Sequence, residues 1–187
     1  MIAWQYYPKS ERLPDHLSLV VHAFTSHEPV IRSITGSDES DFSSDRVLAA
    51  VGMGLLQIGY QGETSKKAAD KIQVPVLFGR NGLVEKSFEA DAFDPTTGTV
   101  LEIEAGRAVV NNAFLKVLFQ ACMMQDVNYE AIAVRNIYRG SKDFDRVVSF
   151  FDTLYANRRL ILPLRGILII GYQPVSDGDA RRWLASG

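Results

Sequence analysis

Three apolar runs in the second half of the chain, TVLEIEA (99–105), AIAVRNIY (131–138) and RGILIIGY (165–172), are separated by stretches whose apolar residues recur at helical spacing. Strands joined through helices must cross over, and crossovers of that length give parallel pairing with helices covering the sheet. The helical stretches run from about Arg107 to Met124 and from Asp143 to about Asn157. Upstream the pattern changes. KSFEADAF (86–93) and TVLEIEA are joined by Asp94-Pro-Thr-Thr-Gly98, turn chemistry throughout, which predicts an antiparallel hairpin. IQVPVLF (72–78), ended by the Asn81-Gly82 turn, supplies one more strand.

Ser44 or Asp45 can cap a helix to about Ile58 with Val47, Leu48, Val51 and Leu55 on one face, and Gly59 is a natural stop. Within it, Gly52 and Gly54 read as tight helix packing. QGETSKKAADK (61–71) reads as partly helical, and DGDARRWLA (177–185) as a short final helix. From Ser44 onward the order is α-β-β-β-α-β-α-β, an α/β fold on the α+β border with a mixed central sheet flanked by helices. Ahead of it, Leu17, Val20, Val21 and Phe24 mark a helix from about Asp15 to His27, before Pro29 and the polar TGSDESDFSSD. The chain therefore divides into an N-terminal helical extension, 1–44, and a main domain, 45–187.

Composition narrows the function classes. A hydrophobic fraction of 47% can fill a core, which rules out global disorder. Twenty Lys and Arg against 22 Asp and Glu exclude a nucleic-acid binder held by bulk positive charge alone, although local basic clusters such as Arg135, Arg139 and Lys142 remain. The single cysteine, Cys122, excludes a disulfide framework and a multi-cysteine zinc site, and reads as a core thiol. His16, His22 and His27, at spacings of six and five, read as surface residues. No apolar run is long enough to span a bilayer and no signal peptide is visible, so the expectation is a cytoplasmic protein away from membranes.

The hairpin carries the chemistry. Alternation puts Glu89 and Asp91 on one face of the first strand, and Glu102 and Glu104 on one face of the second. A register pairing Asp91 with Glu102 also pairs Glu89 with Glu104 and matches the apolar faces. Up to four carboxylates then share a surface with no lysine or arginine alternating among them. Such a face is either simply solvated or relieved by a divalent cation, and all-oxygen ligation favours Mg²⁺, Mn²⁺ or Ca²⁺.

Asp91, a turn and then Glu102-Ile103-Glu104, set in the α-β-β-β-α-β order from Ser44 to Tyr138, resemble the PD-(D/E)xK, or restriction-endonuclease-like, nuclease superfamily. The resemblance covers roughly half the chain, and Glu104 stands where that superfamily usually has lysine, a Glu-x-Glu variant. It implies a restriction-endonuclease-like αβββαβ core and Mg²⁺- or Mn²⁺-dependent hydrolysis of phosphodiester bonds in DNA. Asp91 and Glu102 then hold the metal, with Glu89 as an outer ligand, and Glu104 orients or deprotonates the water. Arg107, Asn111 and Asn112, near the start of the following helix, are the expected substrate contacts. The competing expectation is a non-catalytic module that kept the fold and binds protein or nucleic acid. A homodimer is expected through Trp4, Tyr6, Tyr7 and the apolar residues from Leu17 to Phe24, unless these pack on their own domain.

Overall fold

The computed structural model describes residues 1–34, 43–62, 72–157 and 159–174. In chain order the elements are β1 (Ala3–Tyr7), α1 (Asp15–Ser26), α2 (Glu28–Ser33), α3 (Ser44–Gln57), β2 (Gln61–Gly62), β3 (Ile72–Phe78), β4 (Val84–Ala90), β5 (Ala92–Asp94), β6 (Thr99–Glu104), α4 (Ala113–Met123), β7 (Tyr129–Arg135), α5 (Asp143–Asn157) and β8 (Gly166–Tyr172). Six strands form one mixed sheet in the order β1-β8-β7-β6-β5-β2, while β3 and β4 make a separate two-stranded ribbon. β6, β7 and β8 run parallel, as the helical crossovers require, and the other pairings are antiparallel.

The sheet is covered on both sides because its central strands are apolar on both faces. All seven residues of β8 are buried. On one side Leu101, Ile103, Ala131, Ala133, Leu168 and Ile170 pack with Leu17, Val20, Phe24, Val47, Val51 and Leu55 from α1 and α3. On the other, Val100, Ile132, Val134, Ile167 and Ile169 pack with Phe114, Val117, Leu118, Val147 and Phe151 from α4 and α5. Each fully buried aliphatic side chain contributes about 1.5–3 kcal/mol, so these two layers supply most of the driving force. A Cβ on Gly54 would stand 3.0 Å from the His27 ring and 3.3 Å from Ala23 Cβ, so α3 lies close against the end of α1, the tight packing expected of that segment.

Several boundaries differ from the sequence reading. Residues 1–44 are not only helical: Ala3–Tyr7 is strand β1, paired antiparallel with β8 from Ala3↔Gly171 to Tyr7↔Ile167. Tyr6, Leu17, Val20 and Phe24 share one core cluster with Val47 and Leu101, so no boundary between cores falls at residue 44. The same burial puts most of the expected dimer surface into the protein's own core, the alternative the sequence left open. Tyr6, Tyr7, Leu17, Val20 and Phe24 are each at most 3% exposed, leaving Trp4 and Leu19 as the outward apolar groups of that region. Pro29 does not end the helical region but opens α2, where a missing N–H costs nothing. The partly helical stretch expected over 61–71 lies, from residue 63 on, outside the described residues, as does the short helix over 177–185. No helix among the described residues is long and apolar enough to cross a membrane.

Candidate carboxylate site

The register of β6 on β7 decides where the acids point. Val100 lies opposite Glu130, Glu102 opposite Ile132 and Glu104 opposite Val134. Val100, Ile132 and Val134 belong to the layer under α4 and α5, so Glu102, Glu104 and Glu130 face that side, while Leu101 and Ile103 face α1 and α3. This is the facing expected from alternation.

Asp91 joins them in an unexpected way. The β5–β6 ladder runs Asp94↔Thr99, Phe93↔Val100, Ala92↔Leu101 and then stops. Its phase would put Asp91 opposite Glu102, but the chain bends at Asp91, and β4 leaves to pair with β3. The Asp91 side chain takes over the lost pairing: its Oδ2 accepts the Ile103 backbone N–H at 2.7 Å. A carboxylate accepting a backbone N–H at this distance is a strong, charge-assisted bond, and it holds the fork in place.

Because β4 departs, Glu89 does not meet Glu104. It is exposed on the ribbon opposite Gln73, whose Nε2 lies 3.5 Å from Glu89 Oε1. Of the four carboxylates expected on one face, Asp91, Glu102 and Glu104 come together and Glu89 lies outside.

The electrostatics of the three are coupled. Burial, then Asp91, Glu130 and Glu104, push the Glu102 carboxyl well above the usual carboxylate range, and Lys116 opposes them. Burial and then Asp91 raise Glu104 to about 7, again with Lys116 pulling it down. Lys116 therefore acts on both glutamates from α4. The sequence reading found no cation among these acids because it looked along the strands. A signal was present. A crossover helix runs back over its strand, so its first turn sits near the end of β6. That turn carries Lys116 and no acid, against the preference of a helix N-terminus for negative charge. Replacing Lys116 with methionine is expected to move the ionisation of Glu104 further up, measurable as a shift of a carboxyl titration in the folded protein.

Glu130 was also missed, because the strand was expected to begin at Ala131. Its side chain is fully buried, both carboxylate oxygens lack a hydrogen-bond partner, and burial raises it to about 8. At neutral pH it holds its proton.

Arg107, Asn111 and Asn112 do not lie in a helix. α4 begins six residues later than expected, at Ala113, after a single isolated turn in which Asn111 N–H reaches Arg107 O at 3.2 Å. Asn112 has φ 51°, a left-handed conformation that asparagine tolerates and a helix interior excludes. All three side chains are exposed, on the loop that follows Glu104. Cys122 is half-buried, and burial raises its thiol to about 11, as suits an inert core cysteine. His16 is not a surface residue: it is half-buried, edge-on to Tyr129 with ring centroids 4.6 Å apart.

The donor set can be tested for a metal on chemistry alone. Among the described residues, no group of three His, Cys, Asp or Glu side chains is set to hold an ion by itself. Magnesium does not need one: it is held by one or two carboxylates, with water and phosphate oxygens completing its shell. Asp91 and Glu102 offer that pair of hard oxygen donors, and their mutual repulsion is what a cation would relieve. The residues fit Mg²⁺ or Mn²⁺ in this partial form. No protein-family model matches the chain, and no curated protein matches it.

Proposed function

We propose that this chain is a metal-dependent phosphodiester hydrolase acting on DNA, of the restriction-endonuclease-like kind. The observation that carries the reading is the electrostatic coupling of Asp91, Glu102 and Glu104 beside Lys116, on the β5–β6 hairpin of a sheet whose next strand returns through α4. The run β5-β6-α4-β7, with its three strands adjacent in one sheet, supports it.

In this reading Asp91 and Glu102 would hold the divalent cation, with Asp91 fixed by its bond to Ile103 N–H. The bound ion supplies neutralisation of the phosphoryl oxygens and a water of lowered pKa. Glu104, raised to about 7, would accept a proton from an attacking water near neutral pH. Lys116 keeps Glu104 ionisable and offers positive charge where the superfamily's strand lysine is absent.

Purified protein with Mg²⁺ or Mn²⁺ is expected to nick or cut DNA, and both a chelator and Asp91→Asn are expected to stop it. The amide keeps the side chain's shape but loses the charge that holds the cation. Cleavage that survives Asp91→Asn would assign the activity to another site. Intact, metal-binding protein that cleaves no nucleic acid would leave the non-catalytic binding module as the better reading.

A further inference from the structure

α3 is apolar on both of its faces. From Val47 to Leu56 it carries no polar side chain. Val47, Val51 and Leu55 are buried against the sheet and α1, as a one-sided helix would require. The opposite face shows the same chemistry to solvent: Met53 is 64% and Leu56 62% exposed, and Ala49 is exposed beside them. A helix that is hydrophobic all round belongs in an interior, and this one is covered on one side. Leu19 of α1 and Val30 of α2, both about half exposed, stand on helices that pack against α3 and widen the apolar surface.

The two glycines of this helix have different surroundings. Gly54 is accounted for by the fold itself, since a Cβ there would press on His27 and Ala23. A Cβ on Gly52 would meet nothing within 4 Å. Glycine inside a helix costs stability relative to alanine, and nothing among the described residues requires this one. Ala49, Gly52, Met53 and Leu56 follow the i, i+3, i+4, i+7 spacing of a stripe that packs on another helix. The stripe is small at its first two positions and large at its last two. In an antiparallel copy related by a two-fold axis between Gly52 and Met53, Gly52 faces Met53 and Ala49 faces Leu56. Each large side chain then meets a small one, from both sides alike, as a self-complementary two-fold contact requires.

Other partners fit this face less well. Between Val47 and Leu56 it has no lysine or arginine to meet a phosphate backbone or an anionic membrane surface. It offers apolar shape, and the complement of that shape is itself. We infer that α3 is the centre of a two-fold dimer interface in which the stripes of two copies pack antiparallel across Gly52. The exposed apolar area of α3, Leu19 and Val30 is on the order of a few hundred Å², the scale at which such a patch marks a contact surface. A standard interface takes about 800 Å² from each partner, so the polar rim supplies the remainder and the affinity is modest. Glu102 and Glu104 face the other side of the sheet, under α4, so the pairing leaves both carboxylate sites open. The inference is therefore independent of what those sites do.

The test is sedimentation equilibrium of the full chain over a micromolar concentration series, with melting curves at each concentration. The wild type is expected to approach twice the chain mass, and its melting temperature to rise with concentration. Met53→Glu brings like charges together near the axis and should raise the dissociation constant about a hundredfold or more. Because Met53 is exposed in the single chain, this variant should melt with the wild type at the lowest concentrations. Gly52→Met sets a large side chain against Met53 and should weaken pairing as well. The double variant Gly52→Met/Met53→Gly puts large against small again and should recover most of it. A wild type that stays monomeric, a Met53→Glu variant that pairs as tightly, or a double variant that recovers nothing would each overturn the inference. A monomeric wild type that Met53→Glu destabilises would place the chain's own residues on this face, and would overturn it too.

Discussion

Glu102→Gln is expected to give two effects of opposite sign. Without metal, the variant should be more stable than the wild type at neutral pH. Burial and three neighbouring acids disfavour the Glu102 carboxylate, and the amide has no charge to disfavour. With metal, the order should reverse. A ligand that binds only the folded state stabilises it by mass action, about 2.7 kcal/mol at a concentration a hundred times its dissociation constant. For a chain of this size that is roughly 5–10 °C in melting temperature. The wild type should show such a rise with Mg²⁺ or Mn²⁺ and Glu102→Gln should not. Groups that merely orient metal ligands cost about 10–100-fold when removed, so loss of a ligand should cost any cleavage rate about a hundredfold or more. Thermal melts with and without cation, beside a cleavage assay, measure both. An equal thermal shift in the variant would place the cation elsewhere.

Glu130 gives the second large effect. Its carboxyl is raised from 4.5 to about 8 by burial alone. In the unfolded chain it ionises at its ordinary value, so between about 4.5 and 8 the native state holds a proton that the unfolded state has released. Stability must therefore fall as pH rises through that window, and level off above it. At 1.36 kcal/mol per unit, the loss by pH 7 is on the order of 3 kcal/mol for this one residue. Glu130→Leu should abolish that slope. It should also gain about 1–3 kcal/mol more, since the buried oxygens have no partners to lose. Denaturant titrations at pH 5 and pH 8 test this: the wild type should differ between them by several kcal/mol more than the variant. A parallel pH dependence in the two would mean that the carboxyl finds solvent or a partner in the native protein.

The fold was legible where periodicity alone decides. α1, α3, α5, β3, β6 and β8 lie within a residue or two of their expected bounds, because each has an uninterrupted helical or apolar pattern. β1 was not legible. AWQYY looks like a loose aromatic cluster until its partner is known, and that partner, β8, lies at the far end of the sequence. The start of α4 failed for a local reason: the expected helix ran through the Asn111-Asn112 pair, two poor helix formers, and Asn112 adopts a left-handed backbone conformation that interrupts it. At the site, facing was readable from alternation but departure was not. Nothing in KSFEADAF announces that the strand forks at Asp91, which is why Glu89 was grouped with acids it never joins. Lys116 and Glu130 arrive through α4 and β7, contacts that a reading confined to one hairpin does not reach.

The pairing of β1 with β8 also fixes an order of events. Ala3 meets Gly171 and Tyr7 meets Ile167, so the first strand among the described residues closes the sheet against the last. A ribosome releases β1 long before its partner exists, and contacts this distant in sequence form slowly. Until β8 is added, Tyr6 and Tyr7 have no strand to lie against, and until β1 docks, the apolar GILIIGY strand has an open edge. An open apolar edge of this kind is an aggregation hazard during synthesis. The interval of synthesis between β1 and β8, on the order of ten to thirty seconds at about 5–20 residues per second, rather than the folded state, is where losing Ala3–Tyr7 would be felt first.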